Sequence, residues 1–143
     1  MNVIMLLKPK ETVKYIFENN TLRQGLEKMK ANSYTAIPVI SEDGKYVGTV
    51  SEGDFLYYIV DRDTKGMKQQ EKFYVRDIIR KDFNPAVRID VQMDELLNRA
   101  MNQNFIPVTD DRGYFIGIVT RGTVIETFCS TDNVSSPQTV VTR

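Results

Sequence analysis

An internal duplication constrains the fold of this chain more than any other sequence feature. Residues Ile37 to Asp54 align with Ile106 to Thr123 at a constant offset of 69 positions and without a gap. Three glycines and one proline keep their register in the two copies, and Ser51 is matched by the similar Thr120. A chain that contains the same unit twice is expected to form two equivalent substructures that pack together.

The residue pattern predicts the same order of elements in each copy. Thr21 with Gln24 three residues later is typical of a capped helix start, and Leu22, Leu26 and Met29 follow on one helix face. Predicted strands cover about residues 13–17, 36–40 and 46–50 in the first copy and 86–89, 105–108 and 115–119 in the second, with a glycine turn before the last strand of each copy. A further helix follows each last strand, beginning near Phe55 in the first copy.

The prolines of the duplicated segment bear on the sheet position of two predicted strands. Pro38 and Pro107 both fall inside a short apolar strand. Since proline donates no ladder hydrogen bond, we expect these strands to lie at a sheet edge or the prolines to lie at a strand start.

These elements predict an α/β (α+β) fold of two pseudo-symmetric β-α-β-β-α repeats packed sheet to sheet. We assign residues 1–60 to the first repeat, 61–72 to a polar connector, 73–129 to the second repeat and 130–143 to a flexible C-terminal tail. About 60 residues make a small core, so each repeat is expected to need the other for stability.

Composition excludes several classes of function. The chain has 19 Lys and Arg against 19 Asp and Glu, no His and a single Cys, Cys129. Zero net charge argues against a nucleic-acid partner, and the absence of His removes the usual nucleophile pairs and metal ligands. The apolar runs are shorter than the roughly 18 residues that cross a bilayer. We therefore predict a cytoplasmic protein that is not an enzyme and has no metal site and no membrane partner.

The junction between the last strand and the last helix of each repeat is a candidate anion site. In the first copy it reads Gly48-x-x-Ser51-x-Gly53-Asp54. A helix start favours anions, a hydroxyl donates to phosphate, and a carboxylate accepts hydrogen bonds from ribose hydroxyls. Ser and Asp are also preferred helix caps, so capping alone is an alternative explanation of this pattern.

The twofold occurrence of a Pro-containing strand, a glycine turn and Gly-x-x-Ser/Thr resembles a tandem pair of CBS domains, a Bateman module, over about residues 3–128. The resemblance implies a sensor that binds adenine nucleotides or related adenosyl ligands in crevices between the repeats, without catalysis. It assigns ribose binding to Asp54 and hydroxyl contacts to Ser51 and Thr120. Thr123 replaces the second Asp, which weakens the second crevice as a mononucleotide site, and Arg121 offers a charge for phosphate there.

The resemblance also implies where the base lies. It places the base against the residues that precede the Pro-containing strand and against the first strand of each repeat. The first-copy residues are Lys14, Ile16, Tyr34, Thr35, Ala36 and Ile37, and the second-copy residues are Val87, Gln103, Asn104, Phe105 and Ile106. Each crevice is expected to combine the repeats, so the Asp54 corner faces the second-copy set and the Arg121 corner faces the first-copy set. Plain core packing remains an alternative for Tyr34 and Phe105.

Three functions follow from the resemblance. The first is a sensor of AMP, ADP or ATP that requires no cofactor, acts chiefly through the Asp54 crevice and signals to a separate effector protein. The second is a cyclic di-AMP receptor, which tolerates the loss of the second Asp because the riboses of that ligand lack free 3′-hydroxyls. The third is a ligand-free structural module. We expect a homodimer, because CBS pairs often associate through their helices.

Overall fold

The computed structural model describes residues 2–32, 35–62 and 66–135. Its strands are β1 (Lys8–Pro9), β2 (Ile16–Phe17), β3 (Ala36–Ile40), β4 (Tyr46–Ser51), β5 (Val87–Arg88), β6 (Phe105–Thr109) and β7 (Phe115–Thr120). Its helices are α1 (Leu22–Asn32), α2 (Glu52–Arg62), α3 (Met67–Gln70), α4 (Met93–Asn102) and α5 (Arg121–Ser135). Single 3-10 turns cover Val3–Leu6, Lys10–Thr12 and Val75–Asp77.

The strands form two sheets, one for each repeat, and the predicted fold class is confirmed. The first sheet has the order β2-β3-β4 and the second the order β1-β7-β6-β5. In each repeat a parallel pair and an antiparallel hairpin share their middle strand, β3 or β6. The strands β2 and β5 are shorter than predicted, α3 lies in the predicted connector, and α5 extends into the predicted tail, of which residues 136–143 lie outside the described part of the chain.

The predicted position of the two prolines, at a sheet edge or at a strand start, is wrong, because each is the third residue of a strand that has a neighbour on both sides. Pro38 lies in β3, between β2 and β4, and Pro107 lies in β6, between β5 and β7. The parallel neighbour of each inner strand begins to pair only one residue later, at Val39 or Val108. The missing proline N–H therefore removes no bond from that pairing.

The leading segment of the first repeat packs on the second repeat. Val3 is fully buried in the core of the second repeat, and Leu6 and Leu7 pack against the same core. Directly after them, β1 pairs antiparallel with β7 and adds a fourth strand to the second sheet. A segment at the start of the chain thus completes the unit that is formed by its end.

The leading segment of the second repeat packs on the first repeat in the same way. Val75 is fully buried in the core of the first repeat with Ile78, and Ile79 packs against it. The Val75 N–H donates to the Asn20 carbonyl oxygen (2.8 Å). The two repeats therefore exchange their leading segments, and each core is complete only when both repeats are present.

The two hairpin turns hold the sheets together at one end. The Tyr46 N–H donates to the Gly113 oxygen (3.1 Å), and the Phe115 N–H donates to the Gly44 oxygen (2.9 Å). The Tyr46 and Phe115 rings stack beside these bonds with their centroids 6.2 Å apart. Because these contacts relate equivalent residues of the two copies, they agree with the predicted pseudo-twofold packing.

No helix within residues 2–32, 35–62 and 66–135 has both the length and the apolar character that a membrane span requires.

Replacement of Gly117 by Ala is expected to destabilise the fold. Gly117 has φ +154°, and a Cβ there would overlap the Lys8 backbone oxygen of the β1–β7 pair. We expect Gly117→Ala to lose at least about 2 kcal/mol in the free energy of unfolding, measured by urea denaturation. Gly122→Ala is the matched control, because no atom lies within 4 Å of the position of its Cβ. Equal effects of the two substitutions would contradict this account of the β1 contact.

Candidate functional site

Ser51 and Asp54 form a capping box at the start of α2. The Ser51 Oγ accepts the Asp54 N–H (3.2 Å), and the Asp54 Oδ2 accepts the Ser51 N–H (2.8 Å). This reciprocal arrangement satisfies two N–H groups at the helix start. Ser51 and Asp54 are thus both helix caps in this structure, as the alternative explanation of the pattern predicts.

Thr120 and Thr123 occupy the equivalent corner of the second repeat. The Thr120 Oγ1 accepts the Thr123 N–H (3.3 Å) and lies 2.9 Å from the Thr123 Oγ1. Arg121 does not point into a crevice, because its Nε donates to the Ala100 oxygen at the end of α4 (2.7 Å). This corner therefore presents hydroxyl groups, with no carboxylate in the place of Asp54.

A cavity of about 420 Å³ lies between the repeats at the Thr120 corner, and we call it the open crevice. Its volume falls in the range of small-molecule sites. The residues that line it are Lys8, Thr12, Val13, Lys14, Thr35, Ala36, Pro38, Asn104, Phe105, Ile118 and Thr120. The second-repeat corner thus faces the first-repeat base residues, which is the combination that the resemblance implies for this crevice.

The open crevice has the polarity of an anion site. Lys8 and Lys14 are the charged groups among its described lining residues, and none of those residues carries a carboxylate. The lining also includes the hydroxyl-bearing Thr35 and Thr120 and the apolar Ala36 and Phe105. The cavity therefore offers cations and hydroxyls to a phosphate and apolar surface to a planar base.

On the other side of the pseudo-twofold axis the equivalent residues, among them Asn84 and Asn104, line a cavity of only about 90 Å³, and we call it the closed crevice. A separate cavity of about 410 Å³ is lined by Arg80, Phe83 and Pro85 among others, and Asp54 lines neither cavity. The lining residues of the closed crevice are Ala36, Thr49, Phe83, Asn84, Asn102, Gln103, Asn104 and Phe105. Beside it the Arg80 Nε lies 2.7 Å from the Asp54 Oδ1, and the Arg80 guanidinium lies over the Phe83 ring at 3.8 Å. The Asp54 side chain is only 8% exposed.

Asn84 is hydrogen-bonded to both repeats inside the closed crevice. Its Nδ2 donates to the Thr49 Oγ1 (3.2 Å), and its Oδ1 accepts from the Gln103 Nε2 (3.0 Å). The Tyr46 hydroxyl donates to the Asn84 backbone oxygen (2.8 Å). The backbone φ of Asn84 is +58°, a left-handed conformation that Asn tolerates better than most residues.

Apart from Ser51, Asp54, Arg121 and Thr123 at the two corners, the predicted ligand residues fall into four groups. Lys14, Thr35, Ala36, Asn104, Phe105 and Thr120 line the open crevice, while Gln103 lines the closed crevice. Ile16, Ile37, Val87 and Ile106 are buried in the cores of the repeats. Tyr34 lies outside the described residues. A role of any of these residues in ligand binding stays a prediction.

Four residues at the crevices were not predicted from the sequence: Lys8 and Thr12 in the open crevice, Asn84 in the closed one, and Arg80 beside Asp54. The sequence does contain a signal, because Val3, Leu6, Leu7 and Lys8 match Val75, Ile78, Ile79 and Arg80 at an offset of 72 positions. Extending the duplication to these leading segments identifies Lys8 and Arg80 as equivalent residues at the two crevices.

The comparisons with known proteins agree with the fold. The sequence profile of the CBS domain matches residues 7–61 and 75–129. An uncharacterized protein of Methanocaldococcus jannaschii is 28% identical over 140 residues, with 78% of this chain and 83% of that protein covered.

Solved structures with the same fold contain nucleotides. The crystal structure of CbpB in complex with c-di-AMP has a TM-score of 0.85 and 19% identity, covering 97% of this chain and 91% of that chain. The crystal structure of CBSX2 in complex with AMP has a TM-score of 0.72 and 22% identity, covering 92% and 98%. At this identity the likeness establishes the fold.

The hydrogen-bonded network around Tyr46 predicts a loss of stability at alkaline pH. Burial raises the pKa of the Tyr46 phenol above its usual value of about 10. Above that pH the unfolded chain releases this proton while the folded chain retains it, so the free energy of unfolding falls as the pH rises. We expect Tyr46 to contribute up to about 1.4 kcal/mol per pH unit to this decrease.

Urea denaturation of wild type and Tyr46→Phe between about pH 9 and 11 checks this prediction. The variant loses the hydroxyl contacts with Thr49 and Asn84 and should be less stable at neutral pH, with a shallower alkaline slope. Identical slopes in the two proteins would contradict the assignment to Tyr46.

Proposed function

This chain belongs to the CBS domain family, and we propose that it is a regulatory module that binds an adenine nucleotide in the open crevice and signals to a separate partner protein. The observation that supports this most directly is the cavity of about 420 Å³ with two lysines and no described carboxylate in its lining. Catalysis is not part of the proposal, because a regulatory module acts through the affinity of its ligand for one conformation.

We propose cyclic di-AMP as the ligand that best suits the open crevice. A mononucleotide presents a ribose diol, which a carboxylate binds well, and the corner of this crevice has Thr123 instead of Asp. In cyclic di-AMP the 3′-oxygens belong to phosphodiesters, so this carboxylate is not needed. Its two negative charges complement Lys8 and Lys14, and the likeness to the c-di-AMP complex of CbpB is further support.

AMP is the second candidate ligand. It is supported by the likeness to the AMP complex of CBSX2 and by the presence of one motif carboxylate, Asp54. Because Asp54 is already paired with Arg80, we expect AMP to bind more weakly than cyclic di-AMP. The homodimer and the separate effector protein are also parts of the proposal. Signalling to the effector requires that the ligand binds one conformation of the module more tightly than another.

Isothermal titration calorimetry with cyclic di-AMP and with AMP tests the ligand. We expect wild type to bind cyclic di-AMP and Lys14→Gln to bind it about tenfold more weakly, since a charge-assisted hydrogen bond is lost. Lys72→Gln is the matched control, because Lys72 is exposed and does not line either crevice. Its affinity should equal that of wild type.

Two results would contradict the proposal. If neither nucleotide binds to folded wild-type protein, the ligand-free structural module becomes the better explanation. If cyclic di-AMP binds equally well to wild type and to Lys14→Gln, the ligand does not use the open crevice as proposed.

A further inference from the structure

We propose that Arg80 and Asn84 occupy the Asp54 crevice from within the chain and so limit this CBS pair to one nucleotide site. This inference rests on the proposed function and adds what determines the number of ligands. The ligand class excluded from the closed crevice is a ribonucleoside phosphate with a free ribose diol, for which AMP is the probe.

Both oxygens of the Asp54 carboxylate already have partners within the chain. Its Oδ1 is paired with the Arg80 Nε at 2.7 Å, and its Oδ2 accepts the Ser51 N–H and lies 3.4 Å from the Arg80 Nη2. Because the Ser51 contact belongs to the helix cap, Arg80 is the partner that a ribose has to displace. The Asp54 side chain is 8% exposed and the Arg80 side chain 53% exposed, so a ligand that binds the carboxylate has to displace a partly exposed arginine.

Asn84 and its hydrogen-bond partners fill the space between the repeats on this side. Asn84 bridges Thr49, which is fully buried, and Gln103, which is 7% exposed. Gln103 also donates to the Pro85 oxygen at 3.0 Å, so the backbone that carries Asn84 is fixed at two points. With these groups in place the cavity that they line is about 90 Å³, too small for a nucleoside. The separate cavity of about 410 Å³ that Arg80 lines is lined by neither Asn84 nor Asp54.

The open crevice has different residues at the two equivalent positions. There Lys8 takes the place of Arg80, and Thr123 takes the place of Asp54. No ion pair of the Arg80–Asp54 kind can form at that corner, and the cavity is about 420 Å³. The difference between the crevices therefore follows from a few substitutions within the repeated pattern.

The expected size of the effect comes from the population of the open form. When only a fraction of molecules can bind, the apparent affinity falls by that fraction. A minor conformation is populated at about 0.1–10%, so removing the internal occupants should tighten AMP binding by about tenfold or more.

The test compares AMP binding by wild type and by Arg80→Gln/Asn84→Gly, measured by calorimetry. Glycine is chosen at position 84 because the backbone φ there is +58°. We expect the double variant to gain one AMP site for each chain, and we expect that site to disappear when Asp54→Asn is added. Arg88→Gln is the control for loss of an exposed arginine, and it should bind AMP as wild type does.

Arg80→Gln alone provides a second variant if the double variant does not fold, because it frees the Asp54 carboxylate and keeps the Asn84 hydrogen bonds with Thr49 and Gln103. It should bind AMP more tightly than wild type, again in a manner that depends on Asp54. Unchanged affinity and stoichiometry in a folded variant would overturn the inference.

The two proposals fail separately. An Asp54-dependent AMP site in the variant, together with no cyclic di-AMP binding by wild type, would support the inference and contradict the proposed function. Cyclic di-AMP binding through Lys14 with no new AMP site would do the reverse.

Discussion

The exchange of leading segments between the repeats is the contact on which the rest of the structure depends. Val3 completes the second core and Val75 completes the first, and both side chains are fully buried. A repeat of about 60 residues buries too little apolar surface to be stable alone, so this exchange makes the pair the folding unit. Gly117 and Gly48 permit it, since a Cβ at Gly117 would overlap the Lys8 oxygen and one at Gly48 would lie 2.7 Å from Ile79 Cγ2.

The same exchange brings different residues to the two crevices. The leading segments continue past the cores into Lys8 and Thr12 at the open crevice, into Asn84 at the closed one, and into Arg80, which pairs with Asp54. Small sequence differences in these segments thus produce unequal cavities in a symmetric fold. Ala36, Asn104 and Phe105 line both cavities, so a ligand that moves them in the open crevice also acts on the closed one.

The sequence predicted the duplication, the order of elements and the Ser51 and Thr120 corners, because hydrophobic periodicity and glycine turns are local signals. Its prediction that the prolines lie at a sheet edge or a strand start is wrong. The pairing of β2 and β5 begins one residue after each proline, and the sequence pattern does not show where pairing begins. It also gave Asp54 the main ligand role. The Arg80 side chain that pairs with Asp54 lies 26 residues away, and only tertiary packing brings the two together. Long-range pairs of this kind leave no periodic pattern in the sequence.

The crystal structure of the protein with cyclic di-AMP is the most direct test of this account. It should contain the ligand in the open crevice, with phosphate oxygens within hydrogen-bonding distance of Lys14 and of the Thr120 hydroxyl, and with Arg80 still paired with Asp54. Ligand bound against Asp54 with Arg80 displaced, while the open crevice stays empty, would contradict the central claim that the leading segments decide which crevice binds.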